Sequence, residues 1–264
     1  MPRWRLTLYH ALLLALVIGA WYAATEPIFF SETQAKLVAF FIGKPHKVLA
    51  VAIDWFTGGK IYPHLAITLL ETLLAFSIGT AAGLGMGLWL ALSPMASRLL
   101  DPYLIAVNSM PRVILAPIFA VWFGLGIWSK VLLGVTLVFF IVFFSVYHGV
   151  RDVSPVVLAN ARMLGAGRRE LLRHVYLPSA TAWVFSSLHA SVGMAFVGAV
   201  VGEYLGSSRG VGYLILQAEG VFDINTVLAG VLVLTGCAVL LDRAVGLLER
   251  RLLRWRPGAS AQDH

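Results

Sequence analysis

Four polar side chains interrupt the long apolar runs of this sequence, and their chemistry suits contact with a polar solute. They are Asn108, Arg112, His189 and Glu203. A charged side chain at membrane depth is costly unless it pairs, snorkels to the interface or faces water. All four are therefore candidates for a translocation path. A structural role for Arg112 stays open, and for His189 we favour ordinary interhelical hydrogen bonding.

Residue patterns for catalysis or metal binding are missing from the sequence. The seven histidines are scattered, and the single cysteine, Cys237, lies inside an apolar run. Cys237 has no intrachain disulfide partner and is predicted to be a small packing residue. A phosphate-binding Gly-x-x-x-x-Gly-Lys-Ser/Thr loop is also missing. We expect no metal, no cofactor and no ATP hydrolysis by this chain, and an embedded enzyme is disfavoured.

The composition predicts an all-α integral membrane protein. Of 264 residues, 59% are hydrophobic and 12% charged, and the mean hydropathy is +0.84. A soluble domain carries about 25% charged residues. The net charge of +7 does not indicate a nucleic-acid partner, because the basic residues cluster at the ends of apolar runs. In that position they set membrane orientation.

Six apolar segments of about 18 or more residues predict six membrane-spanning helices. They cover 6–24, 69–92, 103–123, 131–150, 180–204 and 227–248, the third interrupted by Pro111 and Pro117. The first run is longer than the roughly 7–15 residues of a signal-peptide core, so we expect a retained helix rather than a cleaved signal. Glu71 and Glu203 fall near the outer ends of their spans, and for Glu71 we expect a solvated interface position.

Basic residues predict the orientation, because Lys and Arg are enriched in cytoplasmic segments. With the N-terminus inside, twelve Lys and Arg residues fall in inner segments and six in outer ones. Both termini are therefore predicted to be cytoplasmic. We expect three parts: 1–64, with the first span and extracytoplasmic or interfacial segments; 65–250, a core transmembrane domain with a cytoplasmic loop at 151–178; and a cytoplasmic tail at 251–264.

Three glycines in the second span recur at every fourth residue. Gly79, Gly83 and Gly87 therefore share one helix face, where a neighbouring backbone can approach closely. We favour packing inside one subunit over a seam between two copies.

The stretch "ARMLGAGRRELLRHVYLP" belongs to a loop with more pattern than a simple connector. Residues 154–164 have helical apolar spacing, and Gly165 and Gly167 permit a sharp turn after them. We expect a second amphipathic helix to follow, with Leu177 and Pro178 turning the chain back into the membrane. The exposed first helix is a candidate docking site for another protein. The alternative is a basic loop that only sets topology.

This loop resembles the one in inner-membrane permeases of ATP-binding-cassette (ABC) importers. Their pattern is Glu-Ala-Ala, three residues, Gly, nine residues and Ile-x-Leu-Pro. The Gly corresponds to Gly165, while Ala159 replaces the Glu and Asn160 the middle Ala. The motif ends at Val175, Leu177 and Pro178. The resemblance implies that an ATPase docks on Ala159, Asn160, Ala161, Arg162, Met163, Leu164, Gly165, Ala166 and Gly167.

Segments 110–133 and 202–215 resemble permeases of the nitrate, sulfonate, taurine and bicarbonate branch of that family. The resemblance implies a six-span type I importer transmembrane domain with a cytoplasmic coupling helix, placed in the bacterial inner membrane. It also implies transport of a small organic or inorganic anion, such as a sulfonate, taurine, nitrate or bicarbonate.

The same resemblance implies the partners. A separate ATPase subunit would bind ATP and Mg, a second copy of the permease would complete a homodimer, and an extracytoplasmic solute-binding protein would deliver the solute. The chain would contact lipid and no nucleic acid. The alternative is a secondary transporter or channel that works without an ATPase, which would leave the ordered loop without a role.

Overall fold

The computed structural model describes residues 3–28 and 31–252, without the side chains of 3, 180–182, 184–186 and 248–252. These ranges contain helices and connecting turns and no strand. The helices are α1 (Arg3–Thr25), α2 (Glu32–Ile42), α3 (Pro45–Thr57), α4 (Ile61–Leu92), α5 (Pro94–Asn108), α6 (Leu115–Phe123), α7 (Ile127–Arg151), α8 (Pro155–Met163), α9 (Arg168–Leu171), α10 (Leu177–Gly206), α11 (Val211–Gly220) and α12 (Ile224–Leu252). The predicted tail lies outside the described residues from 253 on.

Five helices are long and apolar enough to cross a membrane: α1, α4, α7, α10 and α12. They contain five of the six predicted spans, and the all-α membrane class is confirmed. A sixth crossing exists if the bent pair α5 and α6 counts as one span.

The predicted third span, 103–123, is bent at the first of the two prolines that interrupt it. α5 ends at Asn108, a short 3-10 turn covers Arg112–Ile114, and α6 continues at an angle of 78°. Pro111 lies at the break in an extended conformation, and its ring cannot donate a backbone hydrogen bond. Pro117 does not interrupt α6, because it lies in the first turn, where the amide hydrogens have no helical acceptor.

The packed centre consists of α4, α7 and α10, which approach one another through small residues. A Cβ on Gly83 would lie 2.8 Å from the Phe139 carbonyl oxygen and 2.9 Å from Val142 Cβ. Gly79 and Gly87 contact α7 in the same way, next to Val138 and Val146. The three glycines therefore lie against α7 of the same chain, and their missing side chains let the two backbones come together.

The remaining helices surround this centre. Lys44, before α3, donates a 2.8 Å hydrogen bond to Glu26 and lowers the pKa of that carboxyl group. The Lys44 amide donates to Asn225 at the start of α12. Trp21 of α1 donates to the carbonyl of Ile42 at the end of α2. α1 otherwise leaves its apolar surface uncovered, as expected of a helix facing lipid.

Candidate functional site

α8 ends in a hydrogen-bonded cap that requires a glycine. The Gly165 amide donates to the Arg162 carbonyl at 2.9 Å, and the Ala166 amide donates to the Ala161 carbonyl at 3.0 Å. Gly165 has φ +85°, in the left-handed region. This pair of bonds is the Schellman motif, in which glycine avoids the steric cost of a Cβ. The glycine shared with the importer pattern therefore terminates α8.

The cap presents an apolar tip to solvent. Met163 is 85% exposed and Leu164 is 89% exposed, and Val156 and Val157 of the same helix are also exposed. Ala159 and Asn160 lie on the exposed surface of α8 as well. A soluble surface rarely presents adjacent large apolar side chains unless a partner covers them. Here they form the tip of the segment that joins α7 to α10.

The second half of the loop differs from the prediction. Gly167 has φ −74°, so it makes no left-handed turn; its amide instead donates to the Glu170 carboxylate at 2.6 Å. Instead of a separate helix that ends at Pro178, α9 continues through a π-helical turn, 172–176, into α10. The Leu177 amide reaches back to the Leu172 carbonyl. Pro178 has no amide hydrogen for the His174 carbonyl, which explains why regular α-helical bonding is interrupted there. Val175 lies inside this turn.

The loop is anchored firmly to the bundle at both ends. Ser179 donates a 2.8 Å hydrogen bond to the Gly149 carbonyl near the end of α7. The Trp183 ring lies so close to Gly149 that a Cβ there would be 2.5 Å from the ring. Leu171 is buried. A displacement of α8 would therefore be carried into α7 and α10.

A polar cluster joins α5 to α7 at this same end, which we call the loop end. The Tyr147 hydroxyl donates to Asp101 at 2.8 Å and contacts Ser97 at 2.5 Å. Arg151 donates to the Tyr147 oxygen and its guanidinium lies 4.8 Å from the centre of the Tyr147 ring. These contacts were not predicted from the sequence, because Asp101 and Tyr147 are 46 residues apart.

Two of the path candidates lie together at the break between α5 and α6. Arg112 Nη2 donates to both the side-chain and the backbone oxygen of Asn108. The guanidinium lies 4.8 Å from the centre of the Phe140 ring of α7. Arg112 Nε is buried and has no hydrogen-bond acceptor within the described residues.

His189 lies at a different place, between α10 and α12. Its Nδ1 is 2.9 Å from the Asp242 carboxylate. This contact is the interhelical hydrogen bond that we favoured for His189. It joins α10 to α12, and Arg112 lies on neither of these helices.

Glu203 lies in a buried network at the opposite end of α7 and α10, which we call the network end. Its carboxylate accepts a 2.6 Å hydrogen bond from the Thr68 hydroxyl of α4 and a 2.8 Å bond from the Gly212 amide of α11. The Val211 amide donates to Thr68 Oγ1. Glu203 is fully buried inside one subunit. The structure thus places this path candidate in the packing between helices rather than on an open surface.

Two further charged residues complete this network, and neither is where the sequence suggested. Glu71 was expected to be solvated, but it is only 1% exposed and lies three residues after Thr68, whose hydroxyl donates to Glu203. Lys130 is one of the six Lys and Arg residues assigned above to outer segments, but it is also only 1% exposed. Lys130 Nζ donates to the carbonyls of Leu125 and Gly126, and its side chain packs against Gly202, next to Glu203. Helix packing buries both residues because α4, α7 and α10 meet around them.

Glycines in the 202–215 segment allow the backbone to wrap around Glu203. Gly210 has φ +109°, and a Cβ there would lie 2.1 Å from the Glu203 carboxyl carbon. A Cβ on Gly212 would lie 2.6 Å from the Val200 carbonyl oxygen. No larger residue fits at either position without displacing the carboxylate. Across the described ranges, His, Cys, Asp and Glu side chains form no group of three that could hold a metal ion.

The loop end and the network end both belong to a protein of a known family. The family model for the binding-protein-dependent transport system inner membrane component matches residues 79–254. The chain belongs to this family. This permease therefore contains the family domain over the second half of α4, from residue 79, and over every helix from α5 to α12.

Three similar proteins are transport permeases, and two of them are named for aliphatic sulfonates or taurine. The aliphatic sulfonates transport permease protein SsuC of Bacillus subtilis is 35% identical over 75% of this permease and 72% of its own length. The formylaminopyrimidine transport permease protein ThiX of Halalkalibacterium halodurans is 31% identical over 89% and 97%. The taurine transport system permease protein TauC of Escherichia coli is 30% identical over 92% and 87%.

Solved structures show the same fold. A chain of the MetNI methionine ABC transporter, in an inward-facing conformation, aligns with a TM-score of 0.61 at 18% identity. The alignment covers 70% of this permease and 92% of that chain. The type I importer fold is therefore confirmed. The family match and the permease relatives show that the chain is a permease subunit of an ABC importer.

Proposed function

We propose that the permease couples to a separate ATPase through α8 and its Gly165 cap. The exposed apolar tip at Met163 and Leu164 is the observation that carries this proposal. The tip protrudes from a loop that is anchored to α7 and α10, so a force on α8 reaches two membrane helices. A coupling of this kind requires that the ATPase binds one conformation of the permease more tightly than the other.

The contact with the ATPase rests mainly on apolar area and helix shape. Ala159 occupies the place where the family pattern has a Glu, so the chain offers no carboxylate there. Met163 and Leu164 supply large apolar side chains next to it. Burial of such side chains is worth about 1.5–3 kcal/mol each, which is more than a typical exposed ion pair contributes.

We propose that two copies form the transport core, with the loop end in the cytoplasm and the network end facing the solute-binding protein. The positive-inside distribution supports this orientation, since Arg162, Arg168, Arg169 and Arg173 all lie in the loop. ATP and Mg bind to the ATPase partner, and both termini of the permease are cytoplasmic in this arrangement.

The proposed substrate is a small anion of the sulfonate or taurine type. Two of the three relatives above are named for such substrates. Within the chain, Arg112 supports an anion, because its Nε has no acceptor in the described residues and Asn108 holds the guanidinium in place. Arginine recognises sulfonate and carboxylate oxygens through several N–H donors at once.

Changing Leu164 to Asp tests the coupling proposal. We expect Leu164→Asp to abolish co-purification of the ATPase encoded with the permease, because a charge replaces an exposed apolar side chain that the ATPase would cover. Val221→Asp is the matched control: Val221 is 75% exposed at the network end and lies far along the chain from α8. Retained ATPase association in Leu164→Asp would contradict the proposal and favour a transporter that works alone.

Uptake measurements test the substrate. We expect cells with the complete transporter to accumulate taurine or an aliphatic sulfonate, and Arg112→Gln to reduce that uptake at least about tenfold, since one charged hydrogen-bond donor is worth about 1.5–3 kcal/mol. Uptake of formylaminopyrimidine without uptake of taurine or a sulfonate would refute the proposal that the substrate is an anion.

A further inference from the structure

The starting point is the hydrogen bonding of Glu203 at the network end. One carboxylate oxygen accepts from the Thr68 hydroxyl and the other from the Gly212 amide. Both oxygens thus already receive donors from the protein, the pattern of an ionised carboxylate, which only accepts. Glu203 is fully buried, so these bonds replace its contacts with water.

Glu71 has the opposite arrangement. Glu71 is only 1% exposed, and its Oε2 has no hydrogen-bond donor within the described residues. It lies three residues after Thr68, on the same face of α4 as the hydroxyl that donates to Glu203. A buried ionised carboxylate needs hydrogen-bond donors, whereas a protonated carboxyl group is neutral and can itself donate to a neighbouring carboxylate. The surroundings of Glu71 therefore fit a protonated carboxyl group.

Lys130 decides how much charge the cluster can hold. Its side chain is buried against α10 next to Glu203, since a Cβ on Gly202 would lie 2.9 Å from Lys130 Cγ, and its hydrogens go to the carbonyls of Leu125 and Gly126. One positive charge balances one carboxylate. A second buried negative charge would have no partner and would be very costly.

We propose that Glu71 is a proton-binding site, which holds one proton and donates it to the ionised Glu203, with Lys130 as the balancing charge. The result is an electrically neutral triad that joins α4, α7 and α10, and through Gly212 also α11. Separating α4 from α10 at the network end would remove the donor from Glu203, so the proton holds the closed arrangement of this end.

A metal cation does not fit the same place. Ca²⁺ and Mg²⁺ prefer about six or more oxygen ligands. Within the described chain, no third His, Cys, Asp or Glu side chain joins the pair to complete such a site. A proton needs only the two carboxyl groups.

Infrared spectroscopy of the purified full-length permease at neutral pH tests the proton directly. We expect the C=O stretching band of a protonated carboxyl group, shifted by exchange into D₂O, which disappears in Glu71→Gln. Glu32→Gln is the control, because Glu32 lies on an exposed salt bridge with Lys36 and should leave the band unchanged. A band that persists in Glu71→Gln, or no band in the wild type, overturns the proposal.

Thermal unfolding of the same preparations gives a second test that does not depend on transport. Glutamine mimics a protonated glutamate, so Glu71→Gln should change the Tm by less than about 2 °C. Glu203→Gln is the same chemical change but removes the charge that balances Lys130, and we expect a loss of more than about 4 °C. A larger loss of Tm in Glu71→Gln than in Glu203→Gln would overturn the proposal. If Na⁺ stabilised the wild type but not Glu71→Gln, that would also overturn it. If Glu203→Gln does not fold, the infrared result for Glu71→Gln decides.

Discussion

At the residue scale, two glycines of the loop have different backbone requirements although only one residue separates them. Gly165 has φ +85° and terminates α8, whereas Gly167 has φ −74°, which any residue can adopt. Neither would clash through a new Cβ: nothing lies within 4 Å of the position on Gly165, and the nearest atom to that on Gly167 is 3.6 Å away. Backbone conformation alone therefore distinguishes them.

This difference predicts the effect of alanine at each position. Gly165→Ala should cost about 1–2 kcal/mol in the local stability of the cap, because an L-residue is strained at that φ. Gly167→Ala should be close to neutral. Hydrogen exchange of the Gly165 and Ala166 amides measures this directly, and equal protection in both variants would contradict the prediction.

The role of Tyr147 depends on its hydroxyl group. Its hydroxyl contacts Asp101, Ser97 and Arg151, and so joins α5 to α7 at the loop end.

Tyr147→Phe should lower the free energy of unfolding by about 1–3 kcal/mol, because the partly buried Asp101 carboxylate loses the Tyr147 donor and keeps only the Ser97 hydroxyl. Tyr103→Phe is the same change on the exposed side of α5 and should have no measurable effect. Thermal unfolding of the purified proteins compares the two, and equal Tm values would refute the role of the hydroxyl.

At the scale of elements, the contact between α4 and α7 depends on one face of α4. Gly79, Gly83 and Gly87 lie against α7, whereas nothing lies within 4 Å of a Cβ on Gly85. Helices in lipid gain no hydrophobic driving force for association, so close backbone packing is a main source of their stability.

Gly83→Ala should destabilise the protein by about 1–3 kcal/mol, because the new methyl group would overlap the backbone at Phe139. Gly85→Ala, two residues away on the same helix, should be neutral or stabilising by up to about 1 kcal/mol. The two variants are compared by unfolding in the same detergent. An equal loss in both would mean that helix propensity, not packing, controls the effect.

At the scale of the whole molecule, the permease has two ends with different chemistry. The loop end presents an exposed apolar tip on basic surroundings, and the network end encloses a buried charged triad. α7 and α10 connect them, since both run from one end to the other. Motion imposed at the loop end is therefore transmitted to the network end through two packed helices.

The orientation proposed for these ends predicts the accessibility of single cysteines. In cells that express the permease without its ATPase, Val221→Cys should react with a membrane-impermeant maleimide while the cells are intact. Met163→Cys should react only after the membrane is permeabilised. Both side chains are more than two-thirds exposed, so accessibility to solvent is matched. The native Cys237 is buried and should stay unlabelled in both. The opposite labelling pattern would show that the membrane orientation is the reverse of the one proposed.

The sequence alone determined the membrane class, five of the spans and the importer family, because these depend on local patterns. Apolar run length, the ends at which arginines accumulate and the spacing from Gly165 to Pro178 are all properties of neighbouring residues. The bend at Pro111 was only partly predictable, because proline predicts an interruption but the 78° angle depends on how α6 packs against α7.

Only the tertiary structure decided the partners of the charged residues. Glu71 and Glu203 are 132 positions apart, and each alone resembles an interface residue at the end of an apolar run. Burial arises because α4, α7 and α10 meet at that end, with Lys130 and the glycines of 202–215 closing around the carboxyl groups. A side chain's local sequence predicts how costly burial would be, but only the packing of distant helices determines whether it is buried and what balances its charge.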